Sequence, residues 1–175
     1  MRGFGGFLTF LIIFKLYNGG LERWAENPHV SNAETVIAHF KMTEFQIVYR
    51  FIDDKEAIKR LQEVSVDSRS NYGLKVENGL LVGTSEWFEA IADKRIPNET
   101  LTGIITKVYM SGHNDWPEFE IKSSEGQSTW TREGDDKLYQ VGKLVEIDFV
   151  IQKFKRPLDM LGPTTKKVLE IRIEK

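Results

Sequence analysis

Apolar and polar residues alternate with a period of two through much of the C-terminal half of the chain. Between Leu101 and Lys175, four or five such stretches are separated by turn residues. The first strand is predicted from Leu101 to about Met110, with Gly103 marking a tight bend or bulge. The second runs from Glu118 to Lys122, with Phe119 and Ile121 on its buried side, and Glu125-Gly126 makes the next turn. The third holds Ser128 to Arg132. After Val141-Gly142 comes a long fourth strand, in which Val145, Ile147, Phe149 and Ile151 face one way. In the last, Leu169, Ile171 and Ile173 point inward against Glu170, Arg172 and Glu174. Such alternation predicts an antiparallel sheet with one buried face.

Upstream, the periods mix. Phe45, Ile47, Tyr49 and Phe51 alternate with Gln46, Val48 and Arg50, a strand signal. Asp53 and Glu56 have capping-box spacing, and Ala57, Ile58, Leu61 and Val64 form a stripe at helical spacing. Leu74–Val76 and Leu80–Val82 flank Asn78-Gly79, which predicts a two-residue hairpin. Thr84 or Ser85 opens a helix carrying Trp87, Phe88, Ala90, Ile91 and Ala92. Lys94 to Asn98, with Pro97, reads as a boundary. Further upstream, Leu21–Ala25 is a short helical candidate ended by Asn27-Pro28, and Ser31 caps another from Ala33 to about Phe40.

Phe4 to Tyr17 is nearly all apolar, broken by Gly5, Gly6, Thr9 and Lys15. A helix apolar all round is buried in protein or in lipid. Its length of about 21 Å falls short of a bilayer core of about 30 Å. Three readings fit this segment: a core or oligomer-interface helix stopped by Asn18, Gly19 and Gly20, a short membrane anchor, or a signal peptide. The last lacks an Ala-x-Ala-like cleavage site. Residues 4–17 thus offer a membrane or a protein partner. The compartment follows from that choice: membrane-associated or cell envelope with an anchor, cytoplasmic otherwise.

These elements predict an α+β fold in three parts. Residues 1–20 form the apolar helix, 21–98 an α+β region, and 99–175 a small antiparallel barrel. Five short strands, the glycine in the first and Gly142-Lys143 before the long fourth resemble the OB-fold over about residues 100 to 175. That resemblance implies oligonucleotide or oligosaccharide binding, although fold alone does not assign function.

Charge argues against a nucleic-acid partner. The net charge is −2, so no global basic field exists. Glu118, Glu120, Glu146 and Asp148 fall on outward strand positions and would repel phosphates. A basic rim of Lys153, Lys155 and Arg156 offsets them in part. The absence of cysteine removes thiolate chemistry and thiolate metal sites, and His29, His39 and His113 are the only histidines.

The loop from Ser111 to Pro117 carries His113, Asn114, Asp115 and Trp116, and Tyr109 and Trp130 are candidates to join it in an aromatic ligand platform. Turn chemistry is the preferred reading, with Gly112, Asn114 and Asp115 satisfying local backbone geometry and Trp116 covering the barrel end. His113 with Asp115 is a weak base–orienter or metal pair. No Gly-x-Ser-x-Gly elbow or Gly-rich phosphate loop occurs, and no catalytic residue, metal or cofactor is predicted. The reading is a non-catalytic binding or interaction module with an unidentified ligand. The alternatives are OB-type nucleic-acid or oligosaccharide binding, and a hydrolase using His113 and nearby carboxylates.

Overall fold

A computed structural model describes residues 43–111, 115–158 and 162–175. The readings for the apolar N-terminus and the two short helices after it lie outside those residues. Among the described residues, no helix is long and apolar enough to cross a membrane.

The described chain is mostly β. Six strands form one curled antiparallel sheet: β1 Phe45–Arg50, β2 Asn98–Ser111, β3 Trp116–Ser123, β4 Gly126–Thr131, β5 Leu144–Leu158 and β6 Gly162–Glu174. Their order is β1-β6-β5-β2-β3-β4. Two helices accompany them, α1 Lys55–Val66 and α2 Ser85–Ala92. The sheet is a half-barrel with β1 and β4 at its edges. The segment read as a separate upstream strand is therefore an edge of the same sheet, paired with β6.

Bulges bend the sheet. In β2 the register against β3 shifts between Ile105 and Lys107, leaving Thr106 as the extra residue. Nearby, a Cβ on Gly103 would sit 2.7 Å from the Lys122 carbonyl oxygen. Only glycine lets β2 and β3 approach so closely as β2 turns from one neighbour to the other. A second shift, between Asp148 and Phe149 of β5, leaves Leu169 extra in β6. Beside it the expected alternation fails: Val150 is wholly buried, whereas Ile151 is 51% exposed. Ile151 therefore does not share a face with Val145, Ile147 and Phe149.

One apolar cluster fills the concave side and the space under the helices. It includes Ile105, Phe119, Ile121, Val145, Ile147, Ile171 and Ile173. Phe51 and Trp87 join it edge-to-face, with ring centres 6.2 Å apart. Truncating a buried aromatic of this kind to alanine costs about 3–5 kcal/mol.

The helices begin where short polar side chains can cap them. Asp54, one residue after the expected cap, accepts from Ala57 N at 2.9 Å. Thr84 accepts from Trp87 N at 3.3 Å. Asn78 and Gly79 both have positive φ, and Leu80 N donates to Glu77 O, as a tight hairpin turn requires. The flanking residues do not extend that pairing beyond a single bridge. Lys75 N bonds Lys153 O and Lys155 N bonds Gly73 O instead, so this segment joins the far half of β5. The buried Ser65 locks it from the other side. Its Oγ donates to Leu61 O and accepts from Leu74 N.

Candidate functional site

The sequence-predicted candidates do not form one site. His113 and Asn114 lie outside the described residues. Asp115 has φ +47°, the left-handed turn geometry that favours Asx residues. Strand alternation separates the aromatics. Trp116 lies on the outer face, 55% exposed, and its Nε1 donates to Thr131 Oγ1 at 3.1 Å. Tyr109 lies on that face too, with the Lys107 ammonium 4.3 Å from its ring centre. Trp130 is buried on the inner face, against Phe149 at 5.4 Å.

The basic rim has structural work. Lys153 pairs with Glu77 at 2.8 Å, holding that carboxyl below its ordinary range. Lys155 reaches Asp67 O at 2.5 Å, at the end of α1. Arg156 is exposed.

The outward carboxylates that sequence placed on the strands are gathered around one cation. Arg172 of β6 meets Glu146 at 3.0 Å, Asp148 at 2.8 Å and Glu170 at 2.6 Å. Partial burial works against its charge, but hydrogen bonds to Asp148, Glu170 and Glu146 outweigh that and raise its pKa. Arg50 of β1 also binds Glu170, at 2.7 Å. Further along, Glu120 receives Lys107 and Gln127. This face is charged but largely self-satisfied.

A different arrangement occupies the seam of the half-barrel. An open cleft separates β1 from the loop that follows β4. Ile47, Val48, Tyr49 and Arg50 line one side, Asp53 and Asp54 one end, and Glu133 and Gly134 the other side. The loop reaches β1 at Gly134, where a Cβ would lie 2.2 Å from Val48 O. Among the described residues, β1 has a sheet neighbour on one side only.

Tyr139 clamps the backbone of Glu133. Its hydroxyl donates to Glu133 O at 2.7 Å and accepts from Glu133 N at 3.1 Å. The Glu133 carboxylate itself has no hydrogen-bond partner among the described residues. Burial raises its pKa, the nearby Lys167 opposes that, and Asp54 adds to it. Burial lowers Lys167, against the pull of Glu133 and Asp54, and its ammonium stands 3.8 Å from the Phe51 ring centre. Burial also raises Tyr49, with Glu133 and Asp54 adding to the effect. Tyr49 Oη lies 3.5 Å from Asp54 Oδ2.

Sequence reasoning missed this cluster. Glu133 reads as an ordinary turn residue beside Gly134. Lys167 is one of several tail lysines, and the extra residue Leu169 spoils the alternation that would have placed it.

No curated protein matches the chain. Residues 42–174 match the family described as "Immunity protein RhsI2", a span that takes in all six strands and both helices. That description implies a non-catalytic role exercised by binding a protein partner. By that match, over most of its length, the chain belongs to the RhsI2 immunity protein family.

Proposed function

We propose that this chain neutralises a cognate toxin of the Rhs type by binding it, without chemistry of its own. The observation that carries this is the extent of the family match, which covers the whole described fold rather than one motif. The nucleic-acid and hydrolase alternatives draw no support from it. The self-satisfied carboxylate face is also poorly suited to a phosphate backbone. For the fold, the five strands from Asn98 to Glu174, with β2 between β3 and β5, support an OB-type reading of the curled part.

The test is co-expression of the full chain with its cognate Rhs toxin. Survival of the producing cells, and a stable complex on size-exclusion chromatography with light scattering, are expected. Cell death despite abundant folded protein, with no complex formed, would overturn the reading.

A further inference from the structure

We infer that the cleft between β1 and the loop after β4 is the toxin-docking surface, and that it receives a lysine or arginine side chain of the toxin against Glu133. This rests on the immunity reading above and supplies its contact point.

Four observations converge. First, the Glu133 carboxylate is half-buried and its backbone is fixed by Tyr139, yet its oxygens lack a hydrogen-bond partner among the described residues. A half-buried carboxylate short of hydrogen bonds gains by pairing with a cation. Second, the cleft is net acidic. Asp53, Asp54 and Glu133 line it against Arg50, which Glu170 already engages. Lys167 is nearby but forms no ion pair with Glu133 within bonding distance, and it is spent against the Phe51 ring. Third, one wall is a strand edge with no sheet neighbour among the described residues, which offers main-chain donors and acceptors to a docking segment. Fourth, Ile47, at the rim, is 46% exposed and gives an apolar contact beside the charge. Recognition of a basic side chain in a partly desolvated acidic pocket, flanked by apolar surface, is the usual make-up of an interface hot spot.

The outer face around Arg172 lacks this character, because its carboxylates already have a cation.

The experiment measures affinity of the full-length chain for the purified cognate toxin, with thermal stability recorded in parallel. Glu133→Gln is expected to weaken binding at least 30-fold while leaving the melting temperature equal or higher. A residue with only a structural role would not separate the two in that direction. Asp53→Lys, at an exposed position, is expected to weaken binding about tenfold and to slow association. Glu125→Gln, in the distant β3–β4 turn, should bind as the parent does. Wild-type affinity in folded Asp53→Lys and Glu133→Gln would overturn the cleft assignment and leave the immunity reading standing. Failure of the unaltered chain to bind the toxin would instead remove the immunity reading. A rise in melting temperature with calcium or magnesium alone, abolished by Glu133→Gln, would make the cleft a cation site and overturn the inference.

Discussion

The Arg172 face and the Glu133 cleft use the same residue types to opposite ends. On the face, three carboxylates converge on one guanidinium, and each is held at 3.0 Å or less. In the cleft, the Glu133 carboxylate is half-buried and has no hydrogen-bond partner among the described residues, with only the charge of Lys167 opposing its burial. The first arrangement closes its own electrostatics and ties β5 to β6. The second leaves an unmet demand beside an open strand edge. Similar acidic composition therefore serves cohesion in one place and readiness to bind in the other. Only the arrangement of partners distinguishes them.

This contrast can be broken at its largest point by closing the cleft from within. Gly134 has φ +81°, and a side chain there would collide with Val48 O. Gly134→Val is expected to lower stability by about 3 kcal/mol, from strain and overpacking together. Urea unfolding measures it. A change below about 1 kcal/mol would mean that the loop swings away freely and that the seam is not part of the cooperative fold.

The face comes next. Arg172→Met leaves Glu146 and Asp148 without their cation and Glu170 with Arg50 alone. The expected loss is about 2 kcal/mol, below the usual cost of breaking a fully buried pair because the groups are partly exposed. Denaturant titration would show it. An unchanged midpoint would mean that solvent screens these charges and that the face contributes nothing by its network.

Glu133→Gln should act with the opposite sign, raising stability at pH 7 by up to about 1 kcal/mol after allowance for partial exposure. The gain is reduced by the lost attraction to Lys167. The pH dependence sharpens the point. Because the folded-state pKa of Glu133 is raised, its ionised form costs stability, and the cost is relieved as pH falls through that raised value. The parent should therefore close the gap to Glu133→Gln between neutral pH and the ordinary glutamate range. A constant gap across that window would argue that Glu133 is already solvated. Lys167, Asp54, Tyr49 and Tyr139 face it; burial raises both tyrosines from values already far above that window, and burial lowers Lys167 against the pull of Glu133 and Asp54.

The smallest effect belongs to Lys107→Ala, which removes an ion pair with Glu120 and a ring contact with Tyr109 at an exposed position. Stability should change by no more than about 0.5 kcal/mol. A larger loss would show the outer surface of β2 and β3 to be more tightly coupled than its exposure indicates.

Much of the sheet is legible in the sequence because one face is apolar. Phe119, Ile121, Val145, Ile147, Ile171 and Ile173 fall where alternation puts them. Local turn chemistry is legible too, at Asn78-Gly79 and at Gly103. What alternation cannot show is where the period slips. The extra residues Thr106 and Leu169 are ordinary residue types, and each shifts everything after it to the other side. The fate of Lys167 follows from such a shift. Partners across the sheet are equally hidden. The residues of Asn78-Gly79 make their turn as expected, but the strand they would have paired is taken by β5, 76 positions away at Lys153 and Glu77. The candidate site is the least legible part. Glu133 is defined by the lack of a hydrogen-bond partner among the described residues, and no linear pattern records that.

One irregularity bears on how such a protein waits for its partner. In β1 the register slips between Ile47 and Tyr49, so Val48 bulges toward Gly134. A regular edge would offer an even row of donors and acceptors to any passing strand, including that of another copy. The bulge interrupts that row after three residues, Phe45 to Ile47, and the Gly134 loop sits over the break. An indiscriminate strand can find no continuous ladder there, whereas a segment shaped to straddle the interruption still can. The kink thus acts as a filter, disfavouring a regular strand and admitting a segment whose contour matches the break.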